Sequence, residues 1–265
     1  MEVSGGLKIS IITVCRNSEQ FLAETIESVI NQTYQNIEYI VIDGASTDST
    51  IEIIKQYSSN IAAWLSEPDT GMYEALNKGL HLASGDYILN LNSDDLLESN
   101  DTISKVVDTI GNERPNYFYG NLVKFRFGDR KYKKVRLFPV NFKQLLLSTH
   151  LTFASHPCFF ISAKLNKTLG GYNSTYKNVS DYDYILRAMS VAGVKGKHIN
   201  IYITKFRLHQ NSYYYTAFSR IMEEREKVLT HYGYYKYSYL VRVFFYYTLW
   251  IYYKIINLGH RYKSA

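Results

Sequence analysis

The chain has 265 residues, 46% of them hydrophobic, a composition that suits one large domain or one domain with an appendage and excludes a disordered chain. Its formal net charge of +6 is uneven, since residues 1–204 carry 20 Lys and Arg against 21 Asp and Glu, whereas residues 205–265 carry 10 against three. A neutral body with a basic tail excludes the usual nucleic-acid-binding protein, whose positive patch covers the domain itself.

The first half of the sequence predicts alternating strands and helices. Apolar β-branched runs predict buried strands, and runs with a helical period predict the helices between them. The strands are Leu7–Cys15, Ile37–Ile42, a short one at Trp64-Leu65, and Asp86–Leu91; the helices begin at Ser18, after a cap at Asp48, and at Gly71. Such alternation is typical of a doubly wound parallel sheet, in which ligands bind at the carboxyl ends of the strands.

The second half is less regular. Its pattern predicts a β-hairpin over Tyr117–Val135, a short helix over Asn141–Ser148, a strand over Cys158–Ile161, a helix over Asp181–Met189 and a strand over His198–Phe206. Two distant cysteines form no disulfide framework, and residues 1–8 lack a signal-peptide pattern, so we expect a reducing, cytoplasmic setting.

Two adjacent acids, Asp94 and Asp95, follow the fourth predicted strand in the run Asn92-Ser93-Asp94-Asp95. Carboxylates crowded at a strand end repel one another, and a hard cation such as Mg²⁺ or Mn²⁺ would relieve that repulsion. The alternative is that these acids cap a helix beginning near Leu96.

Four segments in order resemble glycosyltransferase family 2 of the GT-A fold, in its bacterial O-antigen, capsule and exopolysaccharide branch. They are Ser10–Asn17, Asp43-Gly44-Ala45-Ser46-Thr47-Asp48, Glu67–Gly79 and Gly85–Asp95. Several motifs at family spacing are far more specific than one short pattern. The resemblance implies an α/β fold, a doubly wound, mostly parallel nucleotide-binding sheet with helices on both faces, here followed by C-terminal amphipathic helices.

The resemblance also implies a nucleotide-binding set. Asp43 would accept the imide N–H of the base, although a turn role before Gly44 is the alternative, and Lys78 would contact the donor unless it is a solvated lysine. The implied nucleotide-binding residues are Thr13, Arg16, Asn17, Asp43, Asn77, Lys78, Asn92 and Ser93.

Metal binding is implied at Asp94, Asp95 and His209, with Mn²⁺ or Mg²⁺ as the cofactor. The family's Asp-x-Asp motif reads Asn92-Ser93-Asp94 here, so one charge is missing and Asp94 becomes the main ligand.

Catalysis by inversion needs a carboxylate base opposite the leaving group. The segment Ser180-Asp181-Tyr182-Asp183 resembles the family's Glu-Asp-x-Asp helix start, with Ser180 in place of the Glu, which makes Asp181 the implied base. Acids that simply favour a helix N-terminus are the alternative. We expect Asp183, Glu67, Asp69 and His156 to face the acceptor or support the site, although His156 before Pro157 also suits a strand cap.

The C-terminal 212–265 segment predicts amphipathic helices over Ala217–His231 and Tyr239–Ile256, following a catalytic domain over 1–211. Tyr, Trp, Arg242 and Lys254 within the last helix favour a position in the membrane interface over a spanning one. A helix packed on the catalytic domain or forming a homodimer is the alternative. We expect a peripheral protein on the inner face of the cell membrane.

The predicted function is inverting transfer from a nucleotide sugar, with UDP favoured, to a lipid-linked or oligosaccharide acceptor in bacterial surface polysaccharide synthesis, and no nucleic-acid partner is expected. A catalytically idle sugar-nucleotide or glycan-binding protein is the alternative, because Asn92 and Ser180 depart from the family motifs. A nucleotidyltransferase is disfavoured, because no glycine-rich phosphate loop follows the first strand.

Overall fold

A computed structural model describes residues 6–126, 128, 131–147, 155–209, 218–257 and 263–264 of the chain. Its first half alternates strands and helices as predicted. The strands are β1 (Ile9–Cys15), β2 (Ile37–Asp43), β3 (Ala63–Ser66) and β4 (Tyr87–Asn90), and the helices between them are α1 (Leu22–Ile30), α2 (Thr50–Gln56) and α3 (Met72–Leu82). All four strands are parallel in the order β3-β2-β1-β4, which is a doubly wound arrangement.

The second half adds mainly antiparallel strands. Its strands are β5 (Leu96–Leu97), β6 (Tyr117–Arg126), β7 (Lys131–Val135), β8 (Phe159–Ser162), β9 (Gly196–Leu208) and β10 (Lys263–Ser264). Its helices are α4 (Thr102–Ile110), α5 (Phe142–Leu147), α6 (Ala163–Leu169), α7 (Ser180–Ser190), α8 (Phe218–His231) and α9 (Tyr239–Ile256). The sheet continues from β4 through β8, β6 and β7 to β10, and β9 pairs with both β6 and β5.

The predicted elements of both halves are present, with shifted ends. The first helix begins at Leu22 rather than Ser18, because the Ser18 carbonyl accepts hydrogen bonds from the Phe21 and Leu22 N–H groups in a preceding turn. The predicted hairpin is the antiparallel pair β6 and β7. Ser148 and residues 210–217 lie outside the described residues, and with them the end of the predicted 141–148 helix and the predicted domain boundary. Helices α4 and α6 had not been predicted.

The alternative of a helix beginning near Leu96 does not hold. Leu96 and Leu97 form β5, which pairs with Lys205 and Thr204 of β9. This pairing brings the chain after β4 against the end of β9, so that Asp94 and Asp95 meet side chains from more than a hundred residues later.

The C-terminal helices share the core of the catalytic half. Val228 and Leu229 of α8 and Leu249 of α9 are buried within the same hydrophobic cluster as the sheet. Asn257, just after α9, exchanges hydrogen bonds with the backbone of Arg136. Among the described residues, no helix combines the length and hydropathy that crossing a bilayer would require.

Candidate active site

The carboxyl ends of the four parallel strands meet at one edge of the sheet, called here the carboxyl edge. Cys15, Asp43 and Ser66 lie side by side at the ends of β1, β2 and β3. Asn90 ends β4, beside Ile12 of β1. The polar segments that follow these strands therefore converge on one region, as the parallel arrangement requires.

Asp43 holds the loop after β2. Its carboxylate is fully buried and accepts hydrogen bonds from the Ser46 hydroxyl, the Ser46 N–H (3.0 Å) and the Ser66 hydroxyl (2.7 Å). Both oxygens are thus occupied within the protein. The structure supports the turn role and leaves neither oxygen of Asp43 open to a base.

The side chains of Thr13 and Asn17 also form hydrogen bonds with other residues of the protein. The buried Thr13 hydroxyl accepts a hydrogen bond from the Tyr39 hydroxyl at 3.1 Å, so its side chain lies in the core rather than on a pocket wall. Asn17, in the left-handed region at φ 51°, accepts from the Thr47 N–H at 2.9 Å and joins the loops after β1 and β2.

Arg16 is exposed at this edge, beside Gly44. A side chain at Gly44 would collide with the Asp69 carboxylate, so the glycine lets Asp69 lie close to the loop after β2. Arg16 remains a candidate for contact with a donor diphosphate, since guanidinium groups bind phosphate oxygens well.

Lys78 lies at the rim of the carboxyl edge, near the loop after β3. Its ammonium is 2.8 Å from Glu67 and 3.6 Å from Glu74, and it donates to the Pro68 carbonyl. Asp69 accepts from the Gly71 N–H at 2.9 Å, which fixes the turn into α3. Glu67, Asp69 and Lys78 therefore lie in one group, and Lys78 is paired rather than simply solvated.

Asn77 faces away from this group. Its side-chain amide donates to the Tyr172 carbonyl at 2.9 Å, and its oxygen accepts from the Tyr172 N–H at 2.7 Å. Because both polar atoms of Asn77 are taken by one backbone residue, the structure assigns it to holding the loop after α6. The predicted nucleotide contact by Asn77 is not supported by this geometry.

The two adjacent acids after β4 differ completely in environment. Asp95 is fully buried, and its oxygens accept from the Arg207 N–H (2.9 Å) and the Asn92 amide (2.8 Å). Burial and the charge of Asp94 raise the pKa of Asp95 well above its ordinary value. Asp95 therefore anchors β9 behind the site, which corrects its prediction as a metal ligand, and Asn92 supports that anchor rather than facing a ribose.

Asp94 lies at the surface and meets His209. Their carboxylate oxygen and Nε2 are 2.9 Å apart, with side chains 31% and 16% exposed. The Arg207 guanidinium donates to the Asp94 carbonyl at 2.8 Å and fixes the backbone there, while the Phe21 ring lies 5.1 Å from the His209 ring. Ser93, the other nucleotide candidate of this loop, contacts the Ser18 hydroxyl at 3.0 Å.

A carboxylate beside an imidazole is a ligand pair that suits Mn²⁺, whereas Mg²⁺ would rely on the carboxylate. Within the described ranges, no group of three or more His, Cys, Asp and Glu side chains is placed to hold a metal ion. Asp94 and His209 thus fit a site in which the protein supplies two ligands and a bound diphosphate would supply others.

Asp181 lies in the first turn of α7, half-buried, where the helix dipole favours a negative charge. The Tyr73 hydroxyl, from the first turn of α3, donates to its Oδ1 at 3.1 Å. Because α3 begins just beyond the end of β3, this contact places Asp181 at the carboxyl edge, the same edge that carries Asp94.

A buried polar chain connects the two sides of the site. The Asn90 amide donates to the Tyr172 hydroxyl at 2.6 Å, and that hydroxyl also shares a hydrogen bond with Nε2 of His156, 2.7 Å away. Burial lowers the pKa of His156, which favours its neutral form. The Tyr172 ring stacks on Tyr73, whose hydroxyl holds Asp181. His156 therefore lies in a buried network behind Asp181 and forms no strand cap.

Asp183 points to the opposite side of α7. Its buried carboxylate pairs with Arg187 at 2.8 Å and accepts from the Tyr232 hydroxyl at 3.1 Å. Since Tyr232 directly follows α8, Asp183 ties the C-terminal helices to α7. The predicted contact with an acceptor does not fit this orientation.

Four residues that support the site were not predicted from the sequence: Tyr73, Asn90, Tyr172 and Arg207. Asn90 gave a signal, because an amide within a buried apolar strand must find partners. Its Oδ1 and the Ser180 hydroxyl are buried without a hydrogen-bond partner among the described residues. Both atoms border the network around Tyr172 and Asp181.

Comparison with known proteins gives a consistent result. The model of the family described as Glycosyl transferase family 2 matches residues 10–170, more than half of the chain. A PGL/p-HBAD biosynthesis glycosyltransferase of Mycobacterium bovis is 28% identical over 205 residues, which cover 74% of this chain and 75% of that protein. The matched family range ends before Asp181 and His209, so those two residues stand on the geometry described above.

Two solved structures share the fold. S. aureus TarS 1-349 in complex with UDP-GlcNAc matches with a TM-score of 0.64 at 16% identity, covering 84% of this chain and 66% of that one. The mannosyltransferase PcManGT from Pyrobaculum calidifontis, in complex with GDP-Man and Mn²⁺, matches with a TM-score of 0.61 at 17% identity, covering 82% and 61%. The chain thus spans less than two thirds of each solved chain. The family match and the shared fold lead to one conclusion: the chain belongs to glycosyltransferase family 2 and is a glycosyltransferase.

Proposed function

We propose that this glycosyltransferase moves a sugar from a nucleoside-diphosphate sugar to a hydroxyl group of a glycan acceptor, with inversion at the anomeric carbon. A UDP-sugar is the favoured donor, and the acceptor is a polyprenyl-diphosphate-linked glycan of bacterial surface polysaccharide synthesis, met at the inner face of the cell membrane. The observation that supports the proposal is that Asp94, paired with His209, and Asp181, bonded by Tyr73, both lie at the carboxyl edge.

The two groups divide the reaction between them. The acceptor oxygen attacks the anomeric carbon while the bond from that carbon to the diphosphate oxygen breaks, and the acceptor proton passes to the Asp181 carboxylate. Tyr73 holds that carboxylate by its Oδ1, so the orientation of Asp181 is set before the acceptor arrives. Arg16, exposed at the same edge, would bind the diphosphate.

A divalent cation held by Asp94 and His209 would neutralise the leaving diphosphate. The Mn²⁺ complex of PcManGT supports a divalent cation as cofactor, and the UDP-GlcNAc complex of TarS supports a UDP-sugar donor. The biosynthetic name of the mycobacterial relative supports a role in building a product rather than in degrading one.

The test is a panel of UDP-, GDP- and dTDP-sugars with a polyprenyl-diphosphate-linked acceptor, with nucleoside diphosphate release measured in Mn²⁺ and in a chelator. Release from one donor, stimulated by metal, supports the proposal. Failure of every donor, together with no metal-dependent nucleotide binding, would contradict it.

A calorimetric titration separates binding from turnover. Asp94→Asn should weaken Mn²⁺-dependent binding of the nucleoside diphosphate about tenfold or more, because the remaining amide is a poor ligand. Asp101→Asn is the matched control, since Asp101 is a surface carboxylate paired with Lys105 at the start of α4. Equal effects of both substitutions would exclude Asp94 from the metal site.

A further inference from the structure

Helix α9 carries a continuous apolar surface that the rest of the described protein does not cover. Leu240, Phe244, Tyr247, Ile251 and Ile255 are 77%, 65%, 55%, 50% and 60% exposed. They are three or four residues apart and therefore lie on one face of the 18-residue helix, called here the α9 stripe. Single exposed apolar residues are ordinary, but a row of five marks a binding surface.

The opposite face of α9 is already committed to the protein. Leu249 is buried in the core, and Tyr252 at the border of the helix meets Phe138 edge to face at 4.6 Å. Asn257 fixes the end of the helix to Arg136. The helix is therefore held in one orientation, with the α9 stripe directed outward.

The charged residues of α9 and of the sequence after it are all positive. After Glu226 the sequence has no Asp or Glu, while Lys227, Lys236, Arg242, Lys254, Arg261 and Lys263 follow. Lys236 and Lys254 are exposed, and Lys254 lies 5.3 Å from the Trp250 ring. Exposed Lys143 of α5 lies over the rings of Tyr237 and Phe245, at 5.1 Å and 5.4 Å, and adds a further cation beside the helix.

We propose that the α9 stripe docks on an anionic lipid surface, with α9 lying in the plane of the interface. Apolar side chains enter the acyl boundary, Tyr and Trp suit the headgroup region, and the flanking lysines meet lipid phosphates. This proposal concerns a surface separate from the carboxyl edge and does not depend on which sugar is transferred.

A second copy of the chain fits this surface less well. Antiparallel pairing of two α9 helices about Thr248 brings Arg242 of one copy toward Lys254 of the other, and the helix has no acid to separate them. Like charges brought together in an interface oppose association. An anionic lipid surface instead complements every charge on the helix.

The experiment is co-sedimentation of the full chain with phosphatidylglycerol vesicles and with phosphatidylcholine vesicles. Binding should be strong with phosphatidylglycerol and at least tenfold weaker with phosphatidylcholine. Phe244→Glu should reduce partition onto phosphatidylglycerol about tenfold or more. The substitution replaces an apolar side chain that would enter the lipid with a negative charge that the anionic headgroups repel. Lys254→Gln should reduce it about fivefold.

The matched pair is Leu240→Glu and Leu82→Glu, the same substitution at two exposed leucines, of which Leu82 lies on α3. Circular dichroism and nucleotide binding show that each variant is folded. Loss of vesicle binding by Leu240→Glu alone supports the proposal. Equal loss by both variants, equal binding to both kinds of vesicle, or a dimer in light scattering that Phe244→Glu dissociates would overturn it.

Discussion

The two edges of the parallel sheet treat their polar groups in opposite ways. At the amino edge, Glu38 of β2 accepts hydrogen bonds from the Lys8 ammonium, the Ser10 hydroxyl and both the N–H and hydroxyl of Ser84, all at 2.6–2.7 Å. Each of these donors has a partner, and the cluster joins three segments of chain.

At the carboxyl edge some polar groups, such as Asp43 and Lys78, are paired, but others are left incomplete. Asp94 contacts His209 and Asp181 contacts Tyr73, and the second oxygen of each carboxylate accepts no hydrogen bond from the described residues. Asn90 Oδ1 and Ser180 Oγ are buried and unpaired within the same part of the structure. The comparison teaches that one edge uses its polar groups for stability, whereas the other keeps them available for a ligand.

The largest expected effect comes from removing the charge of Asp181. Asp181→Asn should lower kcat about 10²–10⁴-fold, the usual contribution of a general base, because an amide cannot take the acceptor proton. Nucleotide affinity should change less than twofold. Single-turnover kinetics measure the rate and calorimetry measures the affinity. Asp108→Asn is the control, because Asp108 is an exposed residue of α4. Unchanged kcat would remove Asp181 from the reaction.

The amino edge should respond in stability alone. Glu38→Gln should lower the free energy of unfolding by about 1.5–3 kcal/mol, since it removes hydrogen bonds to a charged group. Urea denaturation measures the loss at unchanged nucleotide affinity. Glu223→Gln, in an exposed pair with Lys227, is the control and should leave the free energy of unfolding almost unchanged, because solvent screens that pair. A loss of nucleotide binding without a loss of stability would contradict the division between the edges.

The Glu38 effect should also depend on pH. Although burial opposes its ionisation, hydrogen bonds from Lys8, Ser10 and Ser84 lower the pKa of Glu38 from 4.5 to about 2. A carboxyl whose pKa is lower in the folded state stabilises the protein above the unfolded pKa and loses that contribution as the pH falls. The difference between wild type and Glu38→Gln should therefore be full above pH 4.5 and shrink toward pH 2.

A substitution of Asn77 tests whether this residue contacts the nucleotide or only supports the protein. Asn77→Ala should lower the free energy of unfolding by about 1–3 kcal/mol, because the N–H and carbonyl of Tyr172 lose their partner. Nucleotide affinity should stay within twofold, in contrast with Asp94→Asn. Thermal unfolding and calorimetry distinguish the two roles. A tenfold loss of nucleotide affinity at full stability would restore Asn77 to the donor site.

The smallest effect is expected at Tyr73. Tyr73→Phe keeps the ring stacked on Tyr172 and removes only the hydrogen bond to Asp181, so kcat should fall about two- to tenfold at constant KM. Tyr184→Phe is the control, because its ring also stacks on Tyr172 while its hydroxyl bonds Asn166 instead. Equal losses in both variants would show that the stack, rather than the bond, matters.

The sequence alone determined the order of elements and the position of the polar segments. Apolar runs without a helical period predicted β1 to β4. Parallel strands then place their carboxyl ends at one edge of the sheet, whatever their side chains are. Arg16, Asp94 and Asp181 could therefore be placed at one edge from motifs and periodicity. The sequence also predicted the bounds of α9, because helix hydrogen bonds are local and do not require contacts with distant segments of the chain.

Only the tertiary structure decided which candidate faces the site and which is enclosed. Asp95 is buried because Arg207, 112 residues later, donates to it, and Tyr73 meets Asp181 across 108 residues. The Asn77 side chain points away from the site because it forms hydrogen bonds with both the N–H and the carbonyl of Tyr172. Neighbouring residues such as Asp94 and Asp95 look alike in sequence, and burial and hydrogen bonding with distant segments set their roles. The outward direction of the α9 stripe was decided in the same way, by the packing of Leu249 against the core.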